Sequence, residues 1–424
     1  MVKLERFDIE FDNAECTYFA GQEVTGKVVI ETCEPKKVSE ILLELKGRAR
    51  THWTKHSGKS RSHCSQSEPY FCEQFNTCYT HKFSSPTKDG KGTERILPEG
   101  RHEIPFSYTL PKSLPSSFEG EFGHIRYTCR ATCERPWDFD IVSKKAFTVI
   151  GIEDINENPA LLEPTSASEC NSSLRFCFRK QGSISAELSL DRAGFTPGEN
   201  LYVNAKVQND SQRVIKGMFL RMKQHVNYRA KTFAGSEHVK TANKVIVKKE
   251  RGEVAAHCSY LWNNEKIEVP SVPPKLSRCK IIEVTYSIEL EVLGVLTVAI
   301  PISICTIPRL SDFIMKAKNG NGSSSSGVVF VQDGDSVVHV TVTDERGQTI
   351  ETSEDDNLTP ETEAIISRRK RVRMPSSILT ELYPSLPSPY YKESHFGQSD
   401  ISEDKENFQF GEKLFAPKYP FYNE

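Results

Sequence analysis

The densest concentration of metal-ligating side chains lies in one polar stretch, between His52 and Lys91. It holds His52, His56, His63, Cys64, Cys72, Cys78 and His81. A zinc site takes four such ligands in paired short spacings, commonly C-x2-4-C with H-x3-5-H, because a tetrahedral ion needs two rigid two-ligand arms. His52-x3-His56 meets that spacing and Cys78-x2-His81 approaches it, but Cys64 and Cys72 complete neither pair. The stretch therefore reads as a long hairpin with incidental thiols, and no metal or cofactor is expected. Catalytic patterns are missing too: the chain has no G-x-S-x-G, P-loop or H-E-x-x-H, and Cys78 and Cys129 have no catalytic context. The expectation is a protein that is not an enzyme. Ser376 follows the basic run Arg368-Arg369-Lys370-Arg371-Val372-Arg373. It suits a basophilic kinase, and phosphate there would partly neutralise the run. Nuclear import, anionic lipid and contact with an acidic tail all remain open for those cations.

The elements that must position such groups announce themselves by repetition. Gly21-Gln22-Glu23-Val24, then Val28, Ile30, Val38, Ile41, Leu43, Leu45 and Lys46 recurs as Gly198-Glu199-Asn200-Leu201, then Ala205, Val207, Ile215, Met218, Leu220, Met222 and Lys223. One constant offset aligns every position. A turn glycine precedes two strands whose apolar residues alternate with the pleat, which is what half-buried strands require. This predicts a duplicated β-domain. Strands are expected at 7–11, 24–31, 38–49, 104–110, 124–134 and 144–150 in the first copy. In the second they are expected at 174–179, 184–191, 201–208, 214–228, 240–248, 253–261, 280–292 and 295–305. Proline and glycine turns between them suit an all-β chain of immunoglobulin-type sandwiches.

The chain has 424 residues and a net charge of −2, made of +5 over residues 1–310 and −7 over residues 311–424. A mildly basic body leaves contact with an anionic membrane face open beside the plainer reading of a solvated mixed surface, and no nucleic-acid partner is expected. Met1-Val2-Lys3-Leu4-Glu5-Arg6 opens directly into the Phe7/Ile9/Phe11 alternation, so no signal peptide is expected. Twelve cysteines at irregular spacing then suit reduced cytosolic thiols. The Val292–Ile307 apolar run is broken by Gly294 and Pro301 and reads as two strands, not a membrane span. Residues 151–180 read as an acidic and polar connector between domains at 1–150 and 181–310. Residues 311–424 read as a mostly disordered, flexible tail, with a hairpin pattern at 328–343 around Asp333-Gly334.

Three further stretches carry a resemblance: Leu97-Pro98-Glu99-Gly100-Arg101-His102-Glu103-Ile104-Pro105-Phe106, Leu110-Pro111-Lys112-Ser113-Leu114-Pro115-Ser116-Ser117-Phe118-Glu119-Gly120, and His124-Ile125-Arg126-Tyr127 with Arg135-Pro136-Trp137. In combination they resemble the arrestin superfamily, and within it the α-arrestins, the arrestin-domain-containing proteins. The resemblance covers residues 5–308. It implies two tandem arrestin-like β-sandwiches, with Tyr127 and Tyr286 at comparable strand positions. It also implies a non-enzymatic trafficking adaptor in the cytoplasm, peripherally associated with plasma membrane and endosomes. Such an adaptor links membrane receptors or transporters to WW-domain HECT ubiquitin ligases, captured through Pro-Pro-x-Tyr motifs. This chain has no intact Pro-Pro-x-Tyr. Ser388-Pro389-Tyr390-Tyr391 and Ala416-Pro417-Lys418-Tyr419 keep the second proline and the tyrosine, so Pro389, Tyr391, Pro417 and Tyr419 are the ligase-binding candidates. Losing the first proline weakens each polyproline-II contact, and two weak sites on one tail can act together. Leu382-Tyr383-Pro384-Ser385-Leu386 resembles the motif read by the endosomal-sorting adaptor ALIX. It also fits Tyr-x-x-Leu, read from an extended chain by clathrin adaptors. An alternative role follows from the same family, in which one member binds thioredoxin through a C-domain cysteine: Cys258 lies in a broadly similar place.

Overall fold

The computed structural model describes residues 4–58, 60–86, 93–172, 175–176, 179–180, 182–311, 341–343, 349–351, 382–383, 386, 389–402 and 408–422. Strands dominate, joined in places by short 3-10 turns such as Tyr79–Phe83. The first sandwich sets a three-stranded sheet, Arg6–Phe11, Glu23–Thr32 and Gly100–Thr109, against Ser60–Asn76, Ile41–Ser57, Gly123–Cys133 and Ile141–Ile150. In the second sandwich Thr165–Asn171, Ile184–Leu190, Asn200–Asn209 and Cys258–Glu268 face a sheet of Met218–Thr232, Glu237–Arg251, Ile282–Val292 and Leu296–Ile304. One sheet is continuous across both, because Lys231 and Thr232 pair with Ser65 and Cys64. The expected all-β pair of sandwiches is what the chain forms.

The duplicated stretch is the core of both halves. Val24, Val28, Ile30, Val38, Ile41, Leu43 and Leu45 are buried in the first copy, and Leu201, Ala205, Val207, Ile215, Met218, Leu220 and Met222 in the second. Gly21 and Gly198 both sit at positive φ, 88° and 92°, where an L side chain is strained. The tyrosines repeat as well. Tyr127 Oη donates to the Pro115 carbonyl at 2.7 Å, and Tyr286 Oη donates to the Pro273 carbonyl at 2.5 Å. Each buried hydroxyl thus satisfies the proline-rich approach to its own strand, and burial pushes both phenols well above their ordinary value.

Three details depart from the sequence reading. The first long strand runs Ile41–Ser57, past the expected 49, and pairs with Ser60–Asn76 down to Ser57 opposite Ser60. Thr51 and Trp53 are still buried on the core, and only beyond them do Lys55 and His56 turn exposed, where no apolar residue marks the strand. The connector expected at 151–180 contributes the strand Thr165–Asn171, paired edge-on with Ile184–Leu190. It is a mostly solvent-facing edge built of serine, threonine and cysteine, which hides its period. Residues 389–402 and 408–422, placed in a flexible tail, instead carry short strands packed on the sandwiches. Of the 328–343 hairpin, residues 328–340 lie outside the described residues; Thr341–Thr343 pairs onward with Thr349–Glu351.

Candidate functional site: a C-terminal strap on both sandwiches

The two Pro/Tyr candidates fold onto each other. Tyr390–Glu393 and Lys418–Phe421 form an antiparallel ribbon with Tyr391 opposite Pro420 and Lys392 opposite Tyr419. Ser394 N extends it by donating to the Pro417 carbonyl at 2.8 Å. Alternation along the second strand turns aromatic rings inward. Tyr419 is 0% exposed and its hydroxyl donates to the Ser117 carbonyl of the first sandwich at 3.0 Å. Pro417 is buried with it, Tyr391 is half-buried, and Tyr390 points outward at 74% exposure. Burial pushes the Tyr391 phenol up to about 12 and holds the Tyr419 phenol well above its ordinary value.

Both sandwiches hold this ribbon. On the first, Lys418 N donates to Thr148 Oγ1 at 3.2 Å, and Lys418 Nζ pairs with Glu15 at 2.9 Å. On the second, Ser271 Oγ donates to the Lys392 carbonyl at 2.8 Å, and His395 N donates to the Ser271 carbonyl at 2.7 Å. Tyr422 closes the end: its N donates to the Pro197 carbonyl and its hydroxyl to the Thr306 carbonyl. A Cβ at Gly198 would stand 2.4 Å from the Tyr422 carbonyl oxygen. The glycine that turns the duplicated motif therefore also lets the chain end lie against it.

Among the described residues, the middle of the strap from Ser399 to Phe415 lies on the first sandwich. Phe410–Gly411 adds in parallel to Ser143–Lys144 at the edge of Ile141–Ile150. Phe410 meets Phe7 edge-on with ring centres 6.3 Å apart, and Glu412 pairs with Lys145 at 2.9 Å. Ile401 and Phe408 are buried. Arg126 forks onto Glu119 through Nε and Nη2, at 2.6 and 2.8 Å, and Nη2 also donates to the Asp400 carbonyl at 3.0 Å. Burial raises the Glu119 carboxyl even against that fork.

The structure thus brings Pro389, Tyr391, Pro417 and Tyr419 together and withholds Tyr419 from solvent. Sequence reasoning missed their anchors Ser117, Thr148, Ser271, Thr306 and Tyr422. The signal lay in Phe408-Gln409-Phe410 and Tyr419-Pro420-Phe421-Tyr422, too aromatic for a solvated tail. Elsewhere, Leu382 is exposed and Leu386 N donates to the Tyr383 carbonyl at 3.0 Å. Pro384, Ser376 and the 368–373 run lie outside the described residues. His52 and His63 stack at 6.0 Å between ring centres across the first hairpin, Cys64 is buried and Cys72 exposed. Among the described residues no three histidine, cysteine or carboxylate groups converge as metal ligands. Cys258 is exposed, at the end of its strand opposite Asn209.

A family model described as the arrestin (or S-antigen) N-terminal domain matches residues 7–156, and the corresponding C-terminal domain model matches residues 180–309. The chain belongs to the arrestin family. Among arrestin-domain relatives, "Arrestin domain-containing protein 17" of Caenorhabditis elegans is 60% identical over the full length of both chains. "Arrestin domain-containing protein 4" of Homo sapiens is 28% identical, covering 75% of this chain and 72% of its own. "Thioredoxin-interacting protein" of Homo sapiens is 25% identical, covering 68% and 70%. The arrestin sandwiches place this protein among α-arrestin-like adaptors, whose work is binding other proteins. Among the described residues of this arrestin-domain chain no helix is long and apolar enough to cross a membrane.

Proposed function

We propose that this arrestin-domain protein is a trafficking adaptor that links membrane receptors or transporters to WW-domain HECT ubiquitin ligases, from the cytoplasm and at membrane surfaces. Plasma membrane and endosomes are the places such an adaptor works, and ALIX or a clathrin adaptor would read Leu382, Tyr383 and Leu386. The observation that carries the reading is the pairing of the two Pro/Tyr segments in one docked ribbon. A WW groove needs the proline ring and the tyrosine free of other partners, and here Tyr419 is buried between sandwiches. Ligase capture therefore requires the ribbon to leave its site, and apparent affinity falls by the fraction of molecules in which it has left.

Calorimetry with tandem WW domains tests this. Peptides spanning 380–395 and 412–424 bind, and Tyr391→Ala with Tyr419→Ala removes the binding. The full chain binds more weakly than a linked pair of those peptides. Absence of heat at saturating peptide removes the ligase mechanism.

A second reading is thioredoxin binding. It is supported by the exposed thiol of Cys258 and by a relative named for that interaction. A thioredoxin variant that traps mixed disulfides should then be captured by the wild type and not by Cys258→Ser; equal capture by both ends the reading.

A further inference from the structure

Where the strap crosses the first sandwich, it borders a cleft of about 250 Å³ lined by Arg50, His52, Glu121, Phe122, His124, Arg126 and Ser402. Two guanidiniums and two imidazoles line it beside the single lining carboxylate of Glu121, with Arg126 already forked onto Glu119, so the cleft is rich in donors for an anion. The strap contributes a single hydroxyl, that of Ser402, which is solvent-exposed. Its backbone is fixed on the N-terminal side. Ile401, 1% exposed, donates its N–H to the Lys413 carbonyl, and Ser402 N donates to Asp400 Oδ1 at 2.7 Å. Arg126 Nη2 meanwhile holds the Asp400 carbonyl. Nε and Nη2 of Arg126 spend their three hydrogens on Glu119 and Asp400. That leaves Nη1 to meet a further acceptor. The residues following Ser402 are Glu403-Asp404-Lys405-Glu406, the carboxylate-rich context that an acid-directed kinase reads.

We propose that Ser402 is a phosphorylation site, and that its phosphate is held in the cleft by Arg50, His52, His124 and Arg126, fastening the strap to the first sandwich. The donor is a nucleoside triphosphate and the catalyst an acid-directed protein kinase. The Ser402 Oγ–phosphorus bond forms as the bond from the γ-phosphorus to its bridging oxygen breaks. The nucleoside diphosphate leaves, and the hydroxyl proton passes to the kinase base. The phosphoserine brings close to two negative charges and three strong acceptor oxygens. Arg50 and His124 already have partners in this state, and a dianion competes for them by charge and by bidentate geometry. Glu121, and Glu119 through its fork on Arg126, oppose it against four donor side chains. The inference stands without the ligase reading, since it concerns only whether the strap stays docked.

The test uses the full chain with phosphoserine encoded at position 402, beside the unmodified chain, read by hydrogen exchange over 399–402 and 413–415. Exchange is expected to slow roughly tenfold on phosphorylation, as one or more charge-assisted hydrogen bonds are added to the docked state alone. Arg50→Gln combined with His52→Gln should abolish that slowing. If that pair does not fold, His52→Gln with His124→Gln replaces it. Incubation of the folded wild-type chain with an acid-directed kinase and ATP should place phosphate on Ser402 by peptide mass spectrometry, and Ser402→Ala should lack it. Unchanged or faster exchange in the phosphoserine chain, or slowing that survives the cleft substitutions, overturns the cleft as its receptor. Phosphate appearing elsewhere but never on Ser402 overturns the modification site.

Discussion

Tyr419 and Gly198 carry much of the consequence of the docked strap. Tyr419 buries a whole ring and donates to a backbone carbonyl that has moved away from water. Tyr419→Phe keeps the ring and leaves the Ser117 carbonyl without that donor, and should weaken docking by about 1 kcal/mol. Tyr419→Ala should weaken it by about 3 kcal/mol through the cavity it opens. Both are checked as the change in opening free energy of the 418–421 amides, with the sandwich cores unchanged. Gly198→Ala acts on the same interface from the other side. At φ +92° an alanine is strained, and its Cβ would meet the Tyr422 carbonyl at 2.4 Å. The expected result is a displaced chain end and tighter binding of tandem WW domains by the full chain, with every residue of the Pro/Tyr segments intact. Equal affinity for wild type and Gly198→Ala would separate ligase binding from docking.

At the scale of elements, the ribbon responds to pH through Tyr391 and Tyr419, one on each of its faces. Burial raises both phenols above the value near 10 that they have in a released, solvated strand. A group whose folded value is raised stabilises fully below its unfolded value and loses that contribution as pH climbs through and beyond it. Docking should therefore be insensitive to tyrosine ionisation at pH 7–9 and weaken above about pH 10. Phenolate absorbance near 295 nm, followed alongside exchange of the 418–421 amides, checks the sign; a ribbon that tightens above pH 10 would contradict it.

The same elements show what could be read from residues alone. Core strands such as Glu23–Thr32 and Asn200–Asn209 alternate apolar and polar residues because one face of each is buried, and that period is visible without coordinates. Thr165–Asn171 has little buried face and showed none. The strap strands are two to four residues long, too short for a period. Their burial comes from partners such as Ser117 and Thr306, far away in sequence. The candidate residues Pro389, Tyr391, Pro417 and Tyr419 were legible by type; their pairing with each other was not, because it depends on a surface that exists only after both sandwiches fold.

For the whole molecule, the arrestin sandwiches and the strap form one compact unit comprising residues up to Pro308 and from Ser388 onward. In it the C-terminal Pro/Tyr segments serve as internal ligands of both sandwiches. On the proposed reading, docking and ligase capture compete for the same tyrosines. The most direct measurement is hydrogen exchange of the full, unmodified chain at neutral pH, read at 390–393 and 418–421. Docking predicts amides in both segments protected at least a hundredfold relative to the same sequences as free peptides, which corresponds to an opening free energy of about 3 kcal/mol. Exchange at free-peptide rates in both segments would contradict it.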